Sequence, residues 1–247
     1  MRHLLASLLF LGLFAAPGAA QTAESTLRLS VDARAEPLSG GRVRMAYRVT
    51  NLSASTSALE SFAVLTPVPA LLVERPGPAT DWVTASRMGD EAVAAWAWTD
   101  GFPAPGETGP ALVYEAQGMP GLVRYRALRY TEIPVVPEAD LSDVESTPRF
   151  EDADPDAVLG TTVGVVPVPA DLSTEQLKRR LVEYLDTACS LGWIESGVCT
   201  SLKAKVQPDR IVLGAFMSEL NAQRGVHVSE SAYTLLFANA EYLRDRL

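Results

Sequence analysis

Histidine and cysteine are nearly missing from this chain, with two of each in 247 residues. That scarcity argues against zinc clusters, which take four ligands at tight spacing, and against most nucleophile–histidine arrangements. No phosphate-binding loop, nucleophile elbow, zincin helix or dinucleotide fingerprint occurs. We therefore assign no catalytic residue, no metal and no cofactor, and expect a protein that is not an enzyme. Positive charge is short as well: 21 Lys and Arg against 30 Asp and Glu leave a net charge of −9. An acidic chain is a poor partner for nucleic acid and for anionic membrane surfaces. After the first twenty residues no run is apolar enough to cross a bilayer, so the mature chain carries no transmembrane segment.

Those first twenty residues predict export. Met1, Arg2 and His3 form a short charged start, Leu4 to Ala16 is apolar apart from Ser7 and Gly12, and Pro17-Gly18-Ala19-Ala20 supplies small residues for cleavage. This is the pattern of a secretory signal at 1–20, with a mature protein starting at Gln21 in the extracellular space or periplasm. Its removal takes away Arg2 and no acid, so −9 becomes −10.

Residues 24–133 read as strands and turns. "RVRMAYRVTN" alternates Val43, Met45, Tyr47 and Val49 on one face, and similar runs recur at "STLRLSVDARAEP", "ALESFAVLTP", "DEAVAAWAWT", "GPALVYEAQ" and "GLVRYRALRY". Six or seven short strands with Gly- and Pro-rich turns predict an antiparallel β-sandwich of the immunoglobulin or fibronectin kind. Residues 134–172 are crowded with Pro, Asp and Glu, with Arg149 the sole base, and predict an extended linker. Inside it, 158–166 is β-branched enough for a short strand that docks on the sandwich or bridges onward. "EDADPD" offers Glu151, Asp152, Asp154 and Asp156, but without the ligand spacing and glycine of a calcium loop it reads as a solvated charge run.

From Ser173 the period becomes 3.6. Residues 173–247 predict a small four-helix bundle, its first helix opened by a Ser173/Gln176 capping box and stopped by Gly192. The second helix ends near Pro208, the third takes Asp209 as N-cap, and the fourth opens at Ser229. Cys189 and Cys199 fall at the facing ends of the first two helices. With no further cysteine and a spacing of nine rather than two, a structural disulfide is expected rather than a metal clip or a redox pair. His227, the one mature histidine, falls in an inter-helix loop and reads as a loop or cap residue. Asn51-Leu52-Ser53 matches the glycosylation sequon, a pattern short enough to recur by chance.

Trp96 and Trp98 share a strand face with Ala94. They are core aromatics or, as the alternative, a stacking platform for a polysaccharide; Trp82 and Trp193 read as packing under turns.

Two family resemblances add to this. Tyr47, Val49 and Asn51, Trp82, Pro105-Gly106 and Pro120-Gly121 resemble the strand and turn marks of a β-sandwich module recurrent in secreted bacterial proteins, with Asp81 where a Gly is frequent. "LGWIESGVCTSLKAKV", "AFMSELNAQRG" and "VSESAYTLLFANAEYL" resemble the FIMAH-type helical domain, with a shorter loop between helices two and three. The resemblance implies a secreted accessory role and supplies no catalytic residues. The expectation is a non-catalytic accessory protein acting in adhesion, scaffolding or envelope interaction, with an extracellular or envelope protein or a polysaccharide as partner. Polysaccharide binding through Trp96 and Trp98 stands second. A hydrolase stands third, since paired carboxylates leave no local signature.

Overall fold

The structure is a computed structural model and describes residues 26–76, 82–88, 91–98, 101–130, 157–207 and 210–247. The leader expected at 1–20, the cleavage expected before Gln21, the linker expected at 134–156 and the helix boundary expected at Pro208 and Asp209 lie outside the described residues.

Among the described residues, two large antiparallel sheets, one two-stranded pair and four helices make up the fold. In the first sheet β1 (Leu29–Pro37) pairs with β2 (Arg42–Asn51), followed by β7 (Leu112–Gln117) and β4 (Ala70–Glu74), in the order β1-β2-β7-β4. The second sheet runs β5-β6-β3-β8-β9, with β3 at Leu59–Thr66, β5 at Trp82–Met88, β6 at Glu91–Ala97, β8 at Met119–Arg129 and β9 at Val158–Val166. That is more strands than alternation reveals. β4 is five residues long with no clean inside-outside pattern, so its sequence carries no period-two signal.

Strand alternation sorts side chains as the pleat requires. Val43, Met45, Tyr47 and Val49 are buried along one face of β2. Tyr47 from the first sheet meets Phe62 and Trp96 from the second, with ring centroids 5.9 and 6.3 Å apart, and stacks on Tyr114 of its own sheet at 6.0 Å. The facing sides of the two sheets therefore share one aromatic core. β9 forms the edge of the second sheet, where it pairs with β8 from Met119↔Val166 to Ala127↔Val158. Its two glycines have a packing reason: a Cβ on Gly160 would enter the Tyr125 ring, and one on Gly164 would lie 2.6 Å from Val123 Cγ2.

The helices are α1 (Thr174–Ser190), α2 (Ser196–Lys205), α3 (Leu213–Gln223) and α4 (Glu230–Arg244). The Ser173/Gln176 capping box is formed, and Leu177, Leu181, Tyr184, Leu185 and Ala188 make the buried stripe of α1. The start of α3 differs from expectation. Val206–Gln207 pairs with Arg210–Ile211 as a short hairpin, and the β-branched Ile211-Val212 stays outside the helix, which begins at Leu213. No helix among the described residues is long and apolar enough to cross a membrane.

The helical region is not a separate body. α4 lies against β1, β8 and β9, and one hydrophobic core runs from Leu27 to Leu243. Polar bonds fix the register of that contact. Ala33 N–H donates to Ser231 Oγ (2.8 Å), Ser231 N–H donates to Asp32 Oδ1 (3.1 Å), and Asn239 Nδ2 donates to Pro120 O (3.0 Å). Asp32 thus supplies a carboxylate to the first turn of α4, where free N–H groups and the helix dipole favour negative charge. Covering the open edge of β1 with a helix is one of the ways natural sheets avoid pairing with other chains.

Candidate functional site

The tryptophan pair is not a binding platform. Trp96 is 0% and Trp98 3% exposed, and the Trp96 indole N–H donates to Glu74 O at 3.0 Å. Rings this deep in the inter-sheet core cannot stack on a sugar. Asn51 is likewise withdrawn from solvent. Its side-chain amide donates to Ser57 O and Pro103 O at 2.8 Å each, so the nitrogen a glycan would need already holds two loops together. Cys189 and Cys199 form a disulfide with Cα atoms 6.0 Å apart, joining α1 to α2. Among the described residues no group of three or more His, Cys, Asp or Glu is placed to hold a metal.

The disulfide and the turn beside it shape a cleft. α1 ends in a Schellman turn: Gly192 has φ +70°, its N–H donates to Cys189 O, and Trp193 N–H donates to Ala188 O. The chain then runs antiparallel to the α3–α4 loop, bridged at Ile194 and Val228. Glu195 N–H donates to His227 O, and Ser229 N–H donates to Trp193 O, both at 2.9 Å. Two helix-connecting loops are thereby zipped into one rigid lip. Facing it across the seam are Leu29–Asp32 of β1, Leu52, Tyr125, and Gly160 and Thr161 of β9. The space between is an open cleft of about 990 Å³.

Its electrostatics are one-sided. Asp32, Glu195 and Glu230 line it and no Lys or Arg does. His227 Nδ1 contacts Glu195 Oε2, and Arg224 reaches Glu230 from behind. The hydrogen bond from Arg224 holds the Glu230 carboxyl below its usual value, and the Arg224 guanidinium is raised in turn. Burial pushes the Tyr125 phenol up. Around the cleft, Leu52, Leu191 and Val226 are 38%, 43% and 73% exposed, so its rim is apolar.

A second groove, of about 820 Å³, lies on the other flank of α4 between Arg34, Arg44, Arg224, Tyr233 and Phe237. Two of its three cations are engaged: Arg44 pairs with Glu74 and Glu115, and Arg224 with Glu230 while covering the Tyr233 ring at 4.1 Å.

Of the residues singled out from sequence, neither cysteine lines the cleft, but Gly192 between them does, as do Leu52 of the sequon and Ser229. Trp193, read as packing under a turn, lines it, and so does His227. What the sequence hid is the contribution of β1 and β9, which are distant in the chain from both loops.

No family model matches the chain, and no curated protein matches it. Among solved structures it is similar to an uncharacterised protein from Nocardia farcinica whose crystal structure reveals an immunoglobulin-like fold. The identity is 16%, the TM-score 0.33, and the match covers 56% of this chain and 98% of that one.

Proposed function

We propose that the protein is a secreted, non-catalytic accessory protein, acting in adhesion, scaffolding or envelope interaction by presenting a surface. In this reading the two sheets form an immunoglobulin- or fibronectin-like sandwich, and residues 173–247 a four-helix bundle of the FIMAH type that they resemble. The observation that carries the proposal is the seam. α4 is fastened to β1 through Ser231 and to β8 through Asn239, and a cleft with an apolar rim is left open between the two regions. Clefts at such junctions are common places for ligands. The Cys189–Cys199 disulfide supports export, since such bonds persist in oxidising compartments.

The test uses the intact protein in two arms. Immobilised on beads, it is expected to retain a defined envelope or extracellular protein. In a hydrolase screen run with and without added metal it is expected to show no turnover. Turnover that disappears on replacing one acidic residue overturns the proposal, and retention of polysaccharide alone redirects it to a glycan-binding role at a site other than Trp96 and Trp98.

A further inference from the structure

We propose that the seam cleft takes an extended, basic peptide segment of a partner protein by strand addition to β1; this rests on the binding role above. The argument starts from backbone direction. In an antiparallel strand, alternate residues direct their N–H and C=O groups away from the paired neighbour. Ala33 N–H leaves the sheet to reach Ser231 Oγ, so Val31 and Leu29, two and four residues earlier, point the same way. They point into the cleft.

The opposite edge behaves alike. Tyr47 OH donates to Val163 O and Val165 N–H donates to Tyr114 OH, so the outward groups of β9 beyond Val163 are bonded inside the protein. Thr161, two residues earlier, directs its backbone outward, and among the described residues no strand is hydrogen-bonded to β9 on that side. The helix that covers the β1 edge reaches it at Ser231, whose Oγ bonds Ala33 N–H and also donates to Val31 O at 3.5 Å; the Val31 N–H and the outward groups of Leu29 lie beyond that contact.

Open strand edges between apolar rims are the setting for peptide strand addition, in which main-chain bonds give affinity and flanking side chains give selectivity. Charge picks the occupant. Asp32 and Glu195 line the cleft with no Lys or Arg among its lining residues, on a chain of net charge −9, while the third carboxylate, Glu230, is held by Arg224. An acidic peptide is repelled and a basic one attracted. The same charge argument excludes the chain's own 134–156 stretch, whose carboxylates outnumber its single Arg149.

The probe is a pair of blocked peptide pools about seven residues long, a common strand length. One alternates lysine with valine, threonine or tyrosine, and the other carries glutamate in place of lysine. With the full chain, the lysine pool is expected to bind, and amide exchange at Leu29, Val31 and Thr161 is expected to slow on binding. Val31→Pro removes an outward N–H while leaving the ladder to β2 intact, which an edge strand tolerates. It is expected to weaken binding at least tenfold; if it fails to fold, Thr161→Pro serves the same purpose on β9. Absence of lysine-pool binding, equal binding of the glutamate pool, or affinity untouched by the proline variant overturns the proposal. Should envelope capture succeed while the lysine pool fails, strand addition falls and the general binding role stands. Failure of both removes both.

Discussion

Tyr47 and Tyr114 hold two sheets together that share no strand. Each sits on the first sheet, and each hydroxyl reaches the edge strand of the second, at Val163 O and Val165 N–H. Burial pushes Tyr114 up to about 12 and raises Tyr47 well above its ordinary value. A phenol whose folded value is raised stabilises the fold fully below its unfolded value of about 10, and that contribution is lost as pH rises through the folded value. Stability is therefore expected to fall between roughly pH 10 and 12, with Tyr114 accounting for about 2–3 kcal/mol of the loss. Denaturant melts across that range check this: the fall shrinks in Tyr114→Phe, and an unchanged slope in that variant removes the assignment. The alternation Val43, Met45, Tyr47, Val49 announces in the sequence that Tyr47 faces inward. Nothing local announces what its hydroxyl meets, because Val163 lies 116 residues away. Asn51 hid for the same reason: its sequon is local, while its partner Pro103 O is 52 residues distant.

At the scale of elements, sequence is most legible where caps and period coincide. Ser173, Gln176 and Gly192 bound α1, and the residues between carry its buried stripe. α3 starts later than the helical pattern suggests because Ile211 pairs with Val206 and Val212 N–H donates to Lys205 O, an extended stretch that the pattern does not show. β4 and the glycines of β9 are opaque for another reason, since their fit depends on strands far off in the chain. The disulfide makes its prediction at this scale. Cys189 and Cys199 close a loop of about eleven residues, which in the chain-entropy account stabilises the folded state by roughly 3 kcal/mol. A Cys189→Ser, Cys199→Ser variant is expected to lose up to that amount in urea denaturation. It should also exchange the Trp193 and Ser229 amides faster, because both hang on the lip the disulfide stiffens. Equal stability of the oxidised and reduced forms would sink this.

Among the described residues the main core spans both regions where the sequence suggests two modules, with a small second cluster at Ala63, Leu65, Val93 and Ala95. Period two gives way to period 3.6 at Ser173, a change easily read as a domain boundary. Yet Leu27 and Leu243 belong to the same buried cluster. Unfolding is accordingly expected as one transition. Tryptophan fluorescence, dominated by Trp96 and Trp98 between the sheets, and helical circular dichroism from α1 to α4 should trace the same midpoint. Two separated midpoints would mean that the seam is weak and the regions fold alone. The bond from Ala33 to Ser231 also orders events in time. Its ends are 198 residues apart, so β1, among the first parts made, keeps a bare edge until the last helix arrives. A chain broken off before α4 carries that bare edge permanently, an invitation to proteases and to stray pairing.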